Sequence, residues 1–206
     1  MSGLKFKIDG RTVKIIAVAA VVLVASYAAL YAYERYFAPI TVLDYMGTNI
    51  EFRADLREAA KVPVYPGEDE VYRDTVHQLV KNVTIVFKDA GQSGNPYYIV
   101  EELEIASKMK LAYMTAFGTV DPQTGQTVPN TIPTFDVQQV SSYDALPGKI
   151  QNPIIAIIHP MFANDTAVRN SGHVTFISGT DLHQLDLAVD RFLMVELGIS
   201  PTDLDA

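Results

Sequence analysis

The chain has 206 residues, a formal charge of −8 and no cysteine. It is long enough for one domain with a real core and too short to expect two. The missing cysteines exclude cysteine-ligated zinc, iron–sulfur clusters and thiol catalysis, and the acidic balance argues against nucleic acid and anionic headgroups as partners of the folded part.

The first element is an apolar run, Ile15 to Tyr33, nineteen residues without a charge, whose one strongly polar member is Ser26. At about 1.5 Å per residue it nearly crosses a hydrocarbon core of roughly 30 Å. Lys5, Lys7, Arg11 and Lys14 precede it, and Lys and Arg are sparse after Arg35 until Arg53. Basic flanks stay cytoplasmic, so residues 1–14 are expected inside, residues 15–37 form the transmembrane helix with its interfacial end, and residues 38–206 form an extracytoplasmic domain. Tyr27, Tyr31, Tyr33, Tyr36 and Phe37 read as the outer aromatic belt. A cleaved secretory signal is the rival reading, but the run exceeds the roughly 7–15 residues of a signal core. A pilin-like assembly helix is a second rival. Ala25 and Ala29, like Ala28 and Ala32, are four apart; small residues at that spacing let another helix approach closely, although alanine is also simply a good helix former.

Residues 36–206 hold 11 Lys and Arg against 22 Asp and Glu, a formal charge of −11. Asn49 to Arg53 alternates like a strand, and Ala54 to Lys61 reads as a short helix or turn. Gly67 to about Lys81 reads as a helix opened by Glu68, Asp69 and Glu70, which suit the positive helix end. Val83 to Phe87 is a β-branched run typical of a buried strand. Asp89 to Asn95 reads as a loop. The spacing then predicts the longest helix over 97–117, with Ile99, Leu103, Ala106, Met109 and Tyr113 inward. Residues 119–134 read as a long surface loop and Phe135 to Val140 as a strand. Ile154 to Ile158 reads as a central strand, and 166–169 with 173–177 as a hairpin. A final helix runs to Glu196, capped by Asp181 or Thr180, with Gly198 at its C-cap and Pro201 beyond. The expected architecture is an N-terminal transmembrane helix followed by one α/β sandwich domain with a mixed sheet and helices on its faces.

The chemistry-bearing residues make no known pattern. The four histidines, His77, His159, His173 and His183, show no HExxH spacing, though His159 ends one expected strand and His173 begins another, so the two could approach each other. Neither Ser107 nor Ser178 has a nucleophile-elbow context, and no GxGxxG or Walker loop occurs. Ser178-Gly179-Thr180 at a helix start fits capping better than anion binding. Glu101, Glu102 and Glu104 read as a solvated helix face, and Glu68 to Glu70 lack calcium-loop spacing. Asn82 and Asn164 each open an N-x-[ST] sequon. The reading assigns no catalytic residue, no metal and no cofactor.

Two stretches, Phe52 to Val76 and Asn152 to Ile199, together resemble uncharacterised archaeal single-pass membrane proteins with an outward α/β domain. The resemblance covers about half the chain. It implies an archaeal source and an exterior location, and transfers no activity or site residue. The expected function is a non-enzymatic, membrane-anchored accessory or structural subunit of a membrane or cell-envelope complex. Its partners would be other membrane subunits and the lipid bilayer. The alternatives are a tethered binding module for an envelope polymer or solute, with a concave site near Tyr97–Tyr98 or the 119–134 loop, and a membrane-anchored hydrolase using the histidines.

Overall fold

The computed structural model describes residues 22–23, 25–27, 41–120, 127–129 and 132–205. It divides into two units, Met1–Pro39 and Ile40–Ala206. In the first, the described residues are helical, and Val22, Leu23, Ala25 and Tyr27 are exposed. Ala28, Ala29, Ala32 and most of the expected span lie outside the described residues. Among the described residues no helix is long and apolar enough to cross a membrane.

The second unit is an α/β fold around a mixed six-stranded sheet. It opens on a hairpin, β1 (Thr41–Tyr45) and β2 (Thr48–Phe52). Met46 and Gly47 turn it, at φ 53° and 79°. The sequence reading missed β1 because it assigned the chain near Tyr36 to the membrane interface. Helix α1 (Leu56–Ala59) follows, capped by the Asp55 carboxylate, and strand β3 (Val64–Tyr65) is two residues between prolines. Helix α2 (Glu68–Thr75) ends six residues earlier than the spacing suggested, because the chain turns extended at Val76. Strand β4 (Asn82–Lys88) leads into α3 (Gly91–Phe117). That helix starts six residues before the expected Tyr97, so the segment read as a loop is its first turns. Within the expected surface loop lies a small hairpin, β5 (Gly118–Val120) with β6 (Thr127–Pro129). Then come β7 (Thr134–Val140), β8 (Ile154–Ile158), β9 (Ala167–Asn170), β10 (Val174–Ser178) and α4 (Leu182–Leu197).

The strand order is β3-β9-β10-β8-β4-β7. Strands β7, β4, β8 and β10 are mutually parallel, β9 is antiparallel to β10, and β3 is parallel to β9. The central strand β8 is apolar throughout and serves both faces. Ile155 and Ile157 join Val83, Ile85 and Ile177 beneath α3 and α4, whereas Ile154 and Ala156 join Val86 and Val174 on the opposite face. Successive strand residues point to opposite faces, which is why the run shows no alternation. Both long helices therefore pack on one face. The other is covered without a helix, by Tyr143 and Leu146 of the β7–β8 connection. Tyr143 Oη donates to the Ile157 carbonyl at 2.7 Å and accepts from Lys88 N–H at 2.9 Å, which pins that connection across the strand ends.

Helix α4 agrees with its reading. Asp181 accepts from Gln184 N–H at 2.8 Å, and Gly198 takes the left-handed C-cap at φ 66°. Gly179 is explained by packing. A Cβ there would stand 2.2 Å from Leu185 N, so only glycine lets α4 turn tightly off β10. This close approach, rather than an anion site, accounts for Ser178-Gly179-Thr180.

Helix α3 departs from its reading. Its inward residues are Tyr98, Glu101, Glu104, Ile105, Lys108, Met109, Ala112 and Tyr113, and Ile99 and Leu103 face outward. The helix has two buried contacts. Ile105 and Met109 meet the sheet, and Glu101, Glu104 and Lys108 meet α4. A pattern of apolar residues alone finds the first contact and misassigns the second, because the second is charged.

Candidate functional site

Three groupings of polar side chains stand out in the folded unit. The first lines an open cleft of about 680 Å³ at the N-terminal edge of the parallel strands. That volume falls in the range of small-ligand sites. Its walls include Tyr72, Val76, Leu79, Phe117 and Ile150, and its polar groups are Arg73, Asp74, His77, Gln78 and His173. Asp74 comes from the last turn of α2, and His77 from the turn that follows, closed by the Val80 N–H donating to the His77 carbonyl at 3.2 Å. His173 sits in the β9–β10 turn at φ 65°. Gly148 brings the β7–β8 connection against that turn, since a Cβ there would stand 2.5 Å from the His173 carbonyl oxygen.

Asp74 binds one neighbour in this cleft and stands near another. Its Oδ2 accepts from Asn170 Nδ2 at 2.8 Å, and its Oδ1 lies 3.7 Å from His173 Nδ1. His77 Nδ1 accepts from Leu79 N–H at 3.2 Å, which places the proton of the neutral ring on Nε2. Burial, and then the nearby His173, hold His77 below the usual histidine range, against opposing pulls from Asp74 and the Ile150 carbonyl. A histidine kept neutral in the fold contributes stability above its unfolded pKa of about 6.5 and loses it as pH falls. In an NMR titration His77 should therefore show a midpoint below 6.5, and His173→Gln should raise it. An unchanged midpoint in that variant would show that the two rings do not sense each other. The cleft can hold a ligand with an apolar body and one hydrogen-bonding head. No serine lines it, and among the described residues no group of three His, Asp or Glu side chains is placed to hold a metal ion.

The second grouping lies between α3 and α4. Arg53, one residue past β2, donates from Nη1 to Glu101 Oε1 at 2.7 Å. Its guanidinium also lies 3.9 Å from Glu104 and 3.7 Å from Asp186. Lys108 Nζ pairs with Glu104 one helical turn away and lies 4.5 Å from the centre of the Phe52 ring. Asp190 Oδ2 accepts from Ala54 N–H at 2.6 Å. Glu101 is 1% exposed and Asp190 is fully buried. Four carboxyls thus face two cations. Burial first, then Asp186 for Glu101 and Glu104 for Asp190, hold both carboxyls well above the usual carboxylate range. Glu102 beside them is pushed by burial to about 7. The sequence read Glu101, Glu102 and Glu104 as a solvated face. The fold instead buries Glu101 and Glu104 because Arg53 and Lys108 come with them.

The third grouping is at the opposite edge of the sheet. His159 caps the 3-10 turn after β8 through Nδ1, which accepts from Met161 N–H at 3.3 Å, and its ring centre lies 5.8 Å from that of Tyr98, the two rings inclined at 56°. His183, on α4, is exposed beside Glu58 at 3.6 Å. His173 and His159 stand at opposite ends of neighbouring parallel strands: in register His173 falls opposite Pro153, six residues or roughly 20 Å from His159. The three histidines considered for a hydrolase are therefore not brought together; the structure pairs His173 with His77. Tyr97 and Tyr98 do not line the cleft either. Tyr97 Oη is bound to Asp186, and Tyr98 is buried against Phe87.

Of the two sequons, Asn82 has its amide engaged, donating to Thr84 Oγ1 at 3.2 Å and Asn152 Oδ1 at 3.1 Å. Asn164 is exposed in the loop before β9. Comparison of the chain with protein-family models, with curated proteins and with solved structures finds no match.

Proposed function

We propose that the chain is a membrane-anchored accessory subunit. Its run Ile15 to Tyr33 would lodge in the bilayer, residues 1–14 would stay cytoplasmic, and the acidic domain 38–206 would dock on partner subunits outside. The observation that carries the docking part is the inverted long helix. On α3, Ile99 is 58% and Leu103 67% exposed, while Glu101, Glu104 and Lys108 of the same turns are buried. Large apolar side chains in water beside charges in the interior suit a surface meant to be covered. The apolar run and its basic flank support the anchor, and Ala25, Ala28, Ala29 and Ala32 offer a close-packing stripe for a neighbouring helix.

The test is extraction of native membranes. Alkaline carbonate should leave the chain in the pellet, and mild detergent should release it in a particle containing other subunits. Release by carbonate, or a mature N-terminus after Tyr33, would refute the anchor. A free monomer in mild detergent would refute the subunit role. A second reading, a tethered binding module for an envelope polymer or solute, draws support from the cleft at Asp74, His77 and His173. It predicts that a bound ligand moves the NMR signals of both histidine rings.

A further inference from the structure

The two edges of the six-stranded sheet differ. At one edge, β3 is two residues long and lies between Pro63 and Pro66, so the edge is short and lacks donors at its ends. At the other, β7 is seven residues long, TFDVQQV, and contains no proline or lysine. Five of its seven residues are exposed, and among the described residues no strand pairs with its outer side. An open edge of that length presents unpaired N–H and C=O groups, and Asp136 is its one charged residue.

The exposed side of α3 adjoins this edge. Lys110 Nζ lies 5.6 Å from the centre of the Phe135 ring, which ties the helix to β7. At 100° per residue, Ile99, Leu103, Ala106 and Lys110 lie on the side of α3 turned away from Glu104 and Lys108, and so away from α4. Val137, 47% exposed, pairs with Ile85 and therefore points to the helix-bearing face. Edge and helix side thus form one surface.

We propose that this surface pairs with the same surface of a second copy, joining two sheets through antiparallel β7 strands about a two-fold axis at Val137. Charge excludes one register, and the helices select among the rest. Centring the pair on Asp136 would set two carboxylates directly opposite, which is destabilising. Centring it on Val137 sets each Asp136 against Gln138 of the other copy, an acceptor against an amide donor, and Phe135 against Gln139. The two Val137 side chains then cover each other. The helices agree with this register. Helix α3 runs antiparallel to β7, with Lys110 level with Phe135. Two residues along the strand are about 6.6 Å, or roughly four residues of helix, so Ala106 comes level with Val137. A small residue falls on the axis, and Leu103 of each copy meets the aliphatic stem of Lys110 from the other. An isologous contact of this kind closes after two copies. It rests on the docking reading of that side of α3, names the second copy as its occupant, and does not depend on the anchor.

The chain has no cysteine, so a single Val137→Cys variant reports the contact directly. The full chain in mild detergent should give a dimer when treated with a short bifunctional thiol reagent. Tyr65→Cys, on the opposite edge, should give none. Leu103→Glu should weaken the dimer at least tenfold in a dilution series by light scattering, and so should Val137→Lys, which leaves the helix intact. Circular dichroism would verify that each variant is folded. Absence of a bridge at position 137 in the folded chain would overturn the proposal. So would a dimer that survives both charged substitutions, since it would be held through the span or another face. Either failure would leave the extraction test of the anchor standing.

Discussion

Arg53→Met should cost about 1–3 kcal/mol of unfolding free energy at neutral pH, and more as pH rises, because it leaves buried acceptors without their donor and removes the cation that draws the raised Glu101 carboxyl down. Arg53 reaches three acids, Glu101, Glu104 and Asp186, and Glu101 turns only its Oε1 to the guanidinium while its Oε2 is buried without a partner. Methionine can fill the volume but supplies no donor. The remaining cation, Lys108, is already paired with Glu104. Urea unfolding followed by circular dichroism would measure the loss. Adding Glu101→Gln should recover part of it, because a neutral amide no longer requires the cation, and the two changes should depart from additivity by more than about 1 kcal/mol. Arg53→Lys should fall between them, since an ammonium cannot fork toward three acids. A loss below about 1 kcal/mol for Arg53→Met would mean that solvent reaches the network and that the charges are not held by one another.

Glu196→Gln should stabilise the protein, increasingly so as pH rises. Glu196 is on the buried side of α4, and both of its oxygens lie 2.7 Å from Thr75 Oγ1. Thr75 Oγ1 is also 2.6 Å from the Val71 carbonyl oxygen. One hydroxyl proton cannot serve three acceptors. A protonated Glu196 resolves this, donating to Thr75 Oγ1, which then donates to Val71. Burial drives the Glu196 carboxyl well above its ordinary value, and the Thr75 hydroxyl only partly offsets it. The sign follows from linkage. Above the unfolded pKa near 4.5 the native state holds a proton that the unfolded chain has released, so stability falls as pH rises until the native group also ionises. Each such proton contributes a slope of about 1.4 kcal/mol per pH unit. Removing the group should cut the slope by that amount, with little change at pH 4. Thermal melts between pH 4 and 9 would show it, at about 2–4 °C per kcal/mol for a domain of this size. Glu101 and Asp190, raised in the same direction, should make the wild type more stable in mild acid than at neutral pH. An unchanged slope in Glu196→Gln, or a destabilised variant at neutral pH, would contradict this assignment.

What the sequence disclosed divides along physical lines. Helix α4 and the strands β4, β8 and β10 were legible because each is a run rich in apolar residues, closed by caps in α4 and by prolines in β8, and one-dimensional patterns encode that burial directly. The mixed sheet followed from their alternation with helices. Strand β1 escaped because its aromatic neighbourhood also fits a membrane interface. The face of α3 was misread because half of its buried contact is ionic. A helix carrying Glu101, Glu104 and Lys108 inward looks from its sequence like one carrying them outward. The only signal that could have helped is the weak amphipathicity of 97–117, where apolar and charged residues share no clean division. The cleft was illegible for a different reason. Asp74, His77 and His173 come from the end of α2, the turn after it and a hairpin turn, and their meeting depends on which strands neighbour which. Local spacing carries none of that information.

The proposal that the acidic domain stands outside a membrane on a single N-terminal anchor is tested most directly by labelling intact cells with a membrane-impermeant thiol reagent. The cysteine-free chain allows single reporters at Tyr65, half-exposed on the sheet edge, and at Ser2 before the basic flank. Tyr65→Cys should label on intact cells, and Ser2→Cys only after the membrane is permeabilised. Labelling of Ser2→Cys with protection of Tyr65→Cys, or protection of both, would contradict the account.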